Sequence, residues 1–137
     1  MSAVSFEEWA APGLELELGG RTYMVPPPSV DASSKILASA VRGEIQLGIV
    51  KGEVPAEVSA VLDAIGPDEH PALGPVYAQL VADGVSATTI DRMGYYAVFY
   101  WARGREYADR LAVAMWAPET AGDDDAGTGG DGAPKVS

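Results

Sequence analysis

The sequence contains no cysteine and one histidine, His70. Without thiols it has no disulfide framework, no thiolate nucleophile and no cysteine-based zinc site. His70 sits in GPDEHPALG, where neither a second imidazole nor a thiolate stands by to complete a metal set. It reads as part of a solvated loop. Cations are scarce as well: nine Lys and Arg stand against twenty Asp and Glu, a formal net charge of −11. A phosphate backbone would be repelled, which argues against nucleic acid as a partner. No apolar run approaches the ~20 residues that a membrane-spanning helix needs. The start, MSAVSFEEWAAPG, has neither the basic lead nor the apolar centre of a signal peptide. A soluble, cytosolic chain without a membrane partner is expected.

Catalytic signatures are missing too. Gly48-Ile49-Val50-Lys51-Gly52 lacks the spacing and the Ser/Thr of a P-loop. Asp123-Asp124-Asp125 with Asp131 lacks the alternating acids, the sixth-position glycine and the closing glutamate of a calcium loop. Asp91, Glu106 and Asp109 interleave with Arg92, Arg103, Arg105 and Arg110, a pattern of surface ion pairs. Acid–base work would need burial or a charge partner to separate their pKa values. The expectation is a protein that is no enzyme, with no catalytic residue, no cofactor and no metal.

What is present begins at Leu14–Ser29, LELELGGRTYMVPPPS. Leu14, Leu16 and Leu18 alternate with Glu15 and Glu17, the period of a strand with one buried face. Gly19-Gly20 supplies two residues able to take φ > 0, as a type I′ hairpin needs. A tight turn there sets Leu16 opposite Tyr23, Leu14 opposite Val25, Glu17 opposite Thr22 and Glu15 opposite Met24. Pro26-Pro27-Pro28 then ends pairing, because proline has no N–H for a ladder. Ser29 is placed to cap a helix.

Helical spacing follows. Ser5–Trp9 suggests one or two turns of helix, stopped by Pro12-Gly13. A helix from Ser29 or Asp31 to about Lys51 carries Ile36, Leu37, Ala40, Val41 and Ile45, weakened by Gly43 and Gly48. Pro55 opens a second helix with Val58, Val61, Leu62 and Ile65. The proline-rich segment Pro67–Pro75 reads as loop. A third helix holds Val76, Tyr77, Leu80 and Val81 and stops at Asp83-Gly84. Ser86 caps a fourth, with Ile90, Met93, Ala97, Val98, Tyr100 and Trp101, which Gly104 bends or divides from a last set ending at Trp116. The fold class expected is α+β, mainly α: an N-terminal hairpin packed on a bundle of about four helices. A single globular domain covers 1–116, with the hairpin at 14–25 and the helices within 29–116. The Gly/Asp-rich stretch 117–137 reads as a disordered acidic tail, too poor in apolar side chains to offset ordering entropy.

The densest local signal is Tyr95-Tyr96-Ala97-Val98-Phe99-Tyr100-Trp101. On a helix these residues point almost all round. Two readings stay open: a central core helix, or one whose second face meets a client or another copy of this chain. In the second reading Val98 and Trp101 meet the core, while Tyr96, Phe99 and Arg103 form another face. Tyr95, Tyr96, Phe99, Tyr100 and Trp101 are the candidates for client or self-association contact, since tyrosine suits surfaces that are apolar yet wet.

Two blocks carry a family resemblance. One is Leu14, Leu16, Gly19, Gly20, Arg21, Tyr23, Val25, Pro26–Pro28 and Ser29. The other is Tyr77–Glu106, which opens as Y-x-x-L-x-x-D-G-V ahead of the aromatic helix. In this order they resemble small tail assembly chaperones of long-tailed actinobacteriophages. The resemblance implies a protein of the host cytoplasm that binds the tape-measure protein and keeps it soluble while the tail tube assembles. It implies no catalytic residues. It also implies a longer product made by ribosomal frameshifting, a further partner for the short form, with which the Pro134-Lys135 pair near the end is compatible. The rival expectation is a structural virion protein of the head–tail connector or tail terminator type.

Overall fold

The computed structural model of the protein describes residues 3–117. The tail expected over 117–137 lies, apart from Ala117, outside the described residues. β1 (Leu14–Leu18) and β2 (Arg21–Val25) form a two-stranded antiparallel sheet, with Leu14 opposite Val25, Leu16 opposite Tyr23 and Leu18 opposite Arg21. The register is the one the alternation requires. Gly19 and Gly20 take φ of 59° and 82°, the left-handed pair of a type I′ turn. A Cβ at either position would meet no neighbour within 4 Å. Changing both to valine therefore acts through the backbone alone, and we expect a cost of more than about 1 kcal/mol. An unshifted urea midpoint for the double variant would contradict this.

Five helices follow among the described residues: α1 (Val30–Gln46), α2 (Ala56–Asp63), α3 (Val76–Ala82), α4 (Ala87–Arg103) and α5 (Arg105–Trp116). The fold is α+β and mainly α, as the sequence indicates. Ser29 caps α1 by accepting from Ala32 N–H, and Ser86 caps α4 by accepting from Thr89 N–H. Gly104, at φ 99°, divides α4 from α5, so the last pattern is a helix of its own. Two expectations need correction. The first is that α1 reaches Lys51. It ends at Gln46, because Gly48 turns to φ 80° and the Ile49 and Val50 N–H groups donate back to the Glu44 carbonyl. The second is the N-terminal helix, which is a single turn closed by Trp9 N–H on Phe6 C=O. Its Phe6 and Trp9 rings meet edge to face and stay exposed.

The core has two parts. The larger joins Leu14, Tyr23 and Val25 of the hairpin to Ile36, Leu73, Val76, Leu80, Ile90 and Ala97. Ala72 and Leu73 are buried although they lie in the proline-rich segment. The smaller joins Ala40, Phe99 and Ala108 where α1, α4 and α5 meet. Polar contacts fix the outlying pieces. The Tyr23 hydroxyl donates to Asp83 at 2.6 Å, and Arg21 pairs with the same carboxylate, tying the hairpin to the end of α3. Lys35 bridges Asp31 and Glu69, while Glu69 accepts from Gly66 N–H, which holds the turn after α2 against α1.

Candidate functional site

An open groove of about 350 Å³ lies between the hairpin and the helices. Its near wall is every residue of β1, from Leu14 to Leu18, and none of β2. Its far wall comes from one side of α4 (Thr89, Arg92, Met93, Tyr96) and from Arg105, Ala112 and Trp116 on α5. The strand alternation sends Leu14 and Leu16 toward the helices and leaves Glu15 and Glu17 exposed. Leu18, beside the turn, keeps 39% of its surface exposed. The groove is thus apolar on its floor and rimmed with charge.

The far-wall cations are laid over aromatic faces. The Arg92 guanidinium stands 5.7 Å from the Trp116 ring centre, and that of Arg105 stands 5.1 Å from that of Tyr100. The Tyr96 hydroxyl donates to Asp109 on α5. Burial first, and that hydrogen bond next, push the Tyr96 phenol up to about 12. It is therefore neutral at any physiological pH and serves as a wall, not as a proton carrier.

The five aromatics singled out from the sequence do not form one surface. Phe99 is 1% exposed and belongs to the inner cluster. The outward face assigned to it is corrected: α5 folds back across α4 and covers that side. Trp101 donates its indole N–H to the Ala72 carbonyl at 3.0 Å, and so anchors the proline-rich segment. Tyr95 meets Phe99 edge to face with ring centres 5.1 Å apart, and burial raises its phenol pKa. Tyr100 is half-buried beneath Arg105. Only Tyr96 of the five lines the groove. Its companions Met93 and Trp116 fall on helical stripes in the sequence, and β1 reads there as a strand with one buried and one wet face. The sequence signal for the groove was the hairpin register, which exposes one edge of β1.

A second cleft of about 240 Å³ lies among α1, α4 and the turn 66–73, lined by polar groups including Arg42, Gln46, Glu69, His70, Asp91 and Tyr95. His70 stacks on Tyr77 with ring centres 3.7 Å apart, which makes it a packing residue. Among the described residues no group of three or more His, Cys, Asp or Glu is placed to hold a metal ion. No helix among them is long and apolar enough to cross a membrane.

One buried charge stands out. Glu44, on α1, is 5% exposed. Arg103 donates to both its oxygens, Nε at 2.9 Å and Nη2 at 2.8 Å, and the Tyr107 hydroxyl donates at 2.7 Å. The Arg103 bonds hold the carboxyl below its ordinary range, with help from Tyr107 and against the effect of burial. The site joins α1, α4 and α5. Its signal was available in the sequence: Glu44 falls eight residues after Ile36 and four after Ala40, on the buried stripe of α1.

The fold and its groove define a small, mainly helical α+β protein with an open apolar channel along a sheet edge. The chain belongs to the family described as Domain of unknown function (DUF7426), whose model matches residues 5–135. No curated protein and no solved structure matches the chain.

Proposed function

We propose that this protein is a binding protein and not an enzyme, and that it acts as a phage tail assembly chaperone in the host cytoplasm. Its client is the tape-measure protein, which it keeps soluble until the tail tube forms around it. The observation that carries this reading is the open apolar groove between β1 and the α4–α5 pair. It offers leucine, methionine and aromatic surface in a chain otherwise strongly acidic. Isolated patches of that kind mark interaction sites. The acidic exterior keeps a chaperone–client pair in solution through mutual repulsion. The resemblance of the Leu14–Ser29 and Tyr77–Glu106 blocks to tail assembly chaperones supplies the client's identity.

The test is co-expression with the tape-measure protein, the very long helical product expected from the downstream reading frame. Leu18→Glu places a charge on the groove rim at a half-exposed site, so the fold is retained. Losing one buried leucine contact is worth about 1.5–3 kcal/mol, or roughly tenfold or more in affinity. We expect co-purified client to fall accordingly while the melting temperature stays put. Undiminished capture by the folded variant would remove the groove from the client site.

A further inference from the structure

The groove has a feature that apolar lining alone does not explain: it runs along the main chain of a strand. The two-residue turn makes Leu18 and Arg21 the hydrogen-bonded pair that closes the hairpin. Pairs alternate from there. Leu16–Tyr23 and Leu14–Val25 exchange main-chain bonds across the sheet, while Glu17–Thr22 and Glu15–Met24 do not. The N–H and C=O groups of Glu15 and Glu17 therefore point away from β2, along the side that the groove follows. Among the described residues, no hydrogen bond reaches either residue's main chain from outside the hairpin.

We propose that this edge receives an extended segment of a partner protein, added to the sheet as a third strand, whose residues alternate apolar and basic. The proposal rests on the reading of the groove as a client site and specifies what enters it. Main-chain bonds to Glu15 and Glu17 give the strand its hold, and the side-chain period of two decides its sequence. Apolar residues of the guest face the floor, against Leu16, Met93, Tyr96 and Trp116. The residues between them lie beside Glu15 and Glu17, where opposite charge stabilises a cross-strand pair and like charge destabilises it. The net charge of −11 attracts the same basic segment from a distance.

A second copy of β1 is disfavoured by the same rule. Antiparallel pairing of Leu14–Leu18 with itself, centred on Leu16, sets Glu15 against the other copy's Glu17 twice. Acids on an exposed edge are a common guard against self-pairing. Here they guard against this chain and admit a basic one. Arg92 and Arg105 line the opposite wall, over the Trp116 and Tyr100 rings, on the side that takes the guest's apolar residues and not its basic ones.

The experiment uses the full chain, labelled with ¹⁵N, and an eight-residue peptide that alternates valine and lysine. We expect saturable shifts of the Glu15 and Glu17 amides. Binding should be about tenfold or more tighter than for a peptide with the same residues in two blocks, a comparison that holds charge constant. Methylating alternate main-chain nitrogens of the peptide should abolish binding in one phase and spare it in the other. The Glu15→Lys/Glu17→Lys variant, checked for folding by circular dichroism, should reverse the preference to a valine–glutamate peptide. Equal binding of block and alternating peptides, or insensitivity to N-methylation, overturns the strand mode. Amide shifts that depend on protein concentration without peptide would overturn it in favour of self-association. Tape-measure protein that is captured and lost with Leu18→Glu, while the peptide leaves the Glu15 and Glu17 amides unmoved, would leave the chaperone reading standing and refute this one.

Discussion

Replacing Phe99 with alanine is expected to bring the protein close to unfolding, at a cost of about 4 kcal/mol. Phe99 is among the largest fully buried side chains. Its ring meets Tyr95 edge to face and lies nearly parallel to Tyr107, with ring centres 5.8 Å apart in the second pair. It also faces Gly43: a Cβ built on that glycine would lie 3.0 Å from Phe99 Cζ and 2.9 Å from the Tyr95 hydroxyl. The bare glycine lets α1 approach α4 at this level. An alanine at 99 would open a cavity between three helices that the Glu44–Arg103–Tyr107 bonds tie together, which limits their collapse inward. Natural domains of this size have about 5–15 kcal/mol in hand, so one such loss consumes much of it. The check is urea unfolding followed by fluorescence, with a large fall in midpoint at unchanged slope. A loss under about 1 kcal/mol would mean that Phe99 is accessible, the second of the two readings that the sequence leaves open.

That outcome bears on how far the fold could be read in advance. The hairpin was legible because three independent constraints agree there: alternation in Leu14–Leu18, the Gly19-Gly20 pair, and alternation again in Arg21–Val25. Both serine caps were legible for a similar reason, each a local rule followed by an apolar stripe. The aromatic run of α4 was harder. Its residues point all round, and which side is covered depends on where Gly104 sends the following helix. Nothing in the spacing of Tyr95–Trp101 fixes that angle. By its sequence alone Gly43 weakens α1, since glycine costs a helix about 1 kcal/mol relative to alanine. Its role is decided by α4, more than fifty residues away. The proline-rich segment is the loop its composition indicates, but the burial of Ala72 and Leu73 within it comes from the helices it packs on, with Trp101 donating to the Ala72 carbonyl, and not from any pattern of its own. The groove itself follows from the register, yet its far wall needed the packing of α5. The elements were local information, and their faces were not.

The Glu44–Arg103 pair gives the second large effect, and its pH dependence identifies the cause. Replacing Arg103 with methionine leaves a carboxylate that is almost fully buried, with Tyr107 as its remaining donor. Breaking a buried pair from one side costs about 3–5 kcal/mol. The lower end applies here, about 3 kcal/mol, because the Arg103 side chain is itself one-third exposed. Glu44→Gln should cost less, since the guanidinium left behind can turn to water. The sign with pH follows from which state holds the proton more tightly. In the native protein the Glu44 carboxyl lies below its ordinary value. Its contribution is complete above the unfolded-state pKa, about 4.3, and is lost as pH falls through the lower folded value. Without Arg103 the largest cause of that lowering is gone, and burial, which raises the pKa, dominates. The folded variant then binds a proton more tightly than the unfolded chain, so acid relieves it. The deficit of Arg103→Met relative to the native protein should therefore be largest near neutrality and shrink as pH falls toward about 4. Denaturant midpoints of both proteins measured across that range would show it. A deficit constant with pH would mean that Arg103 stabilises through the packing of its stem alone, with the buried carboxylate indifferent to its partner.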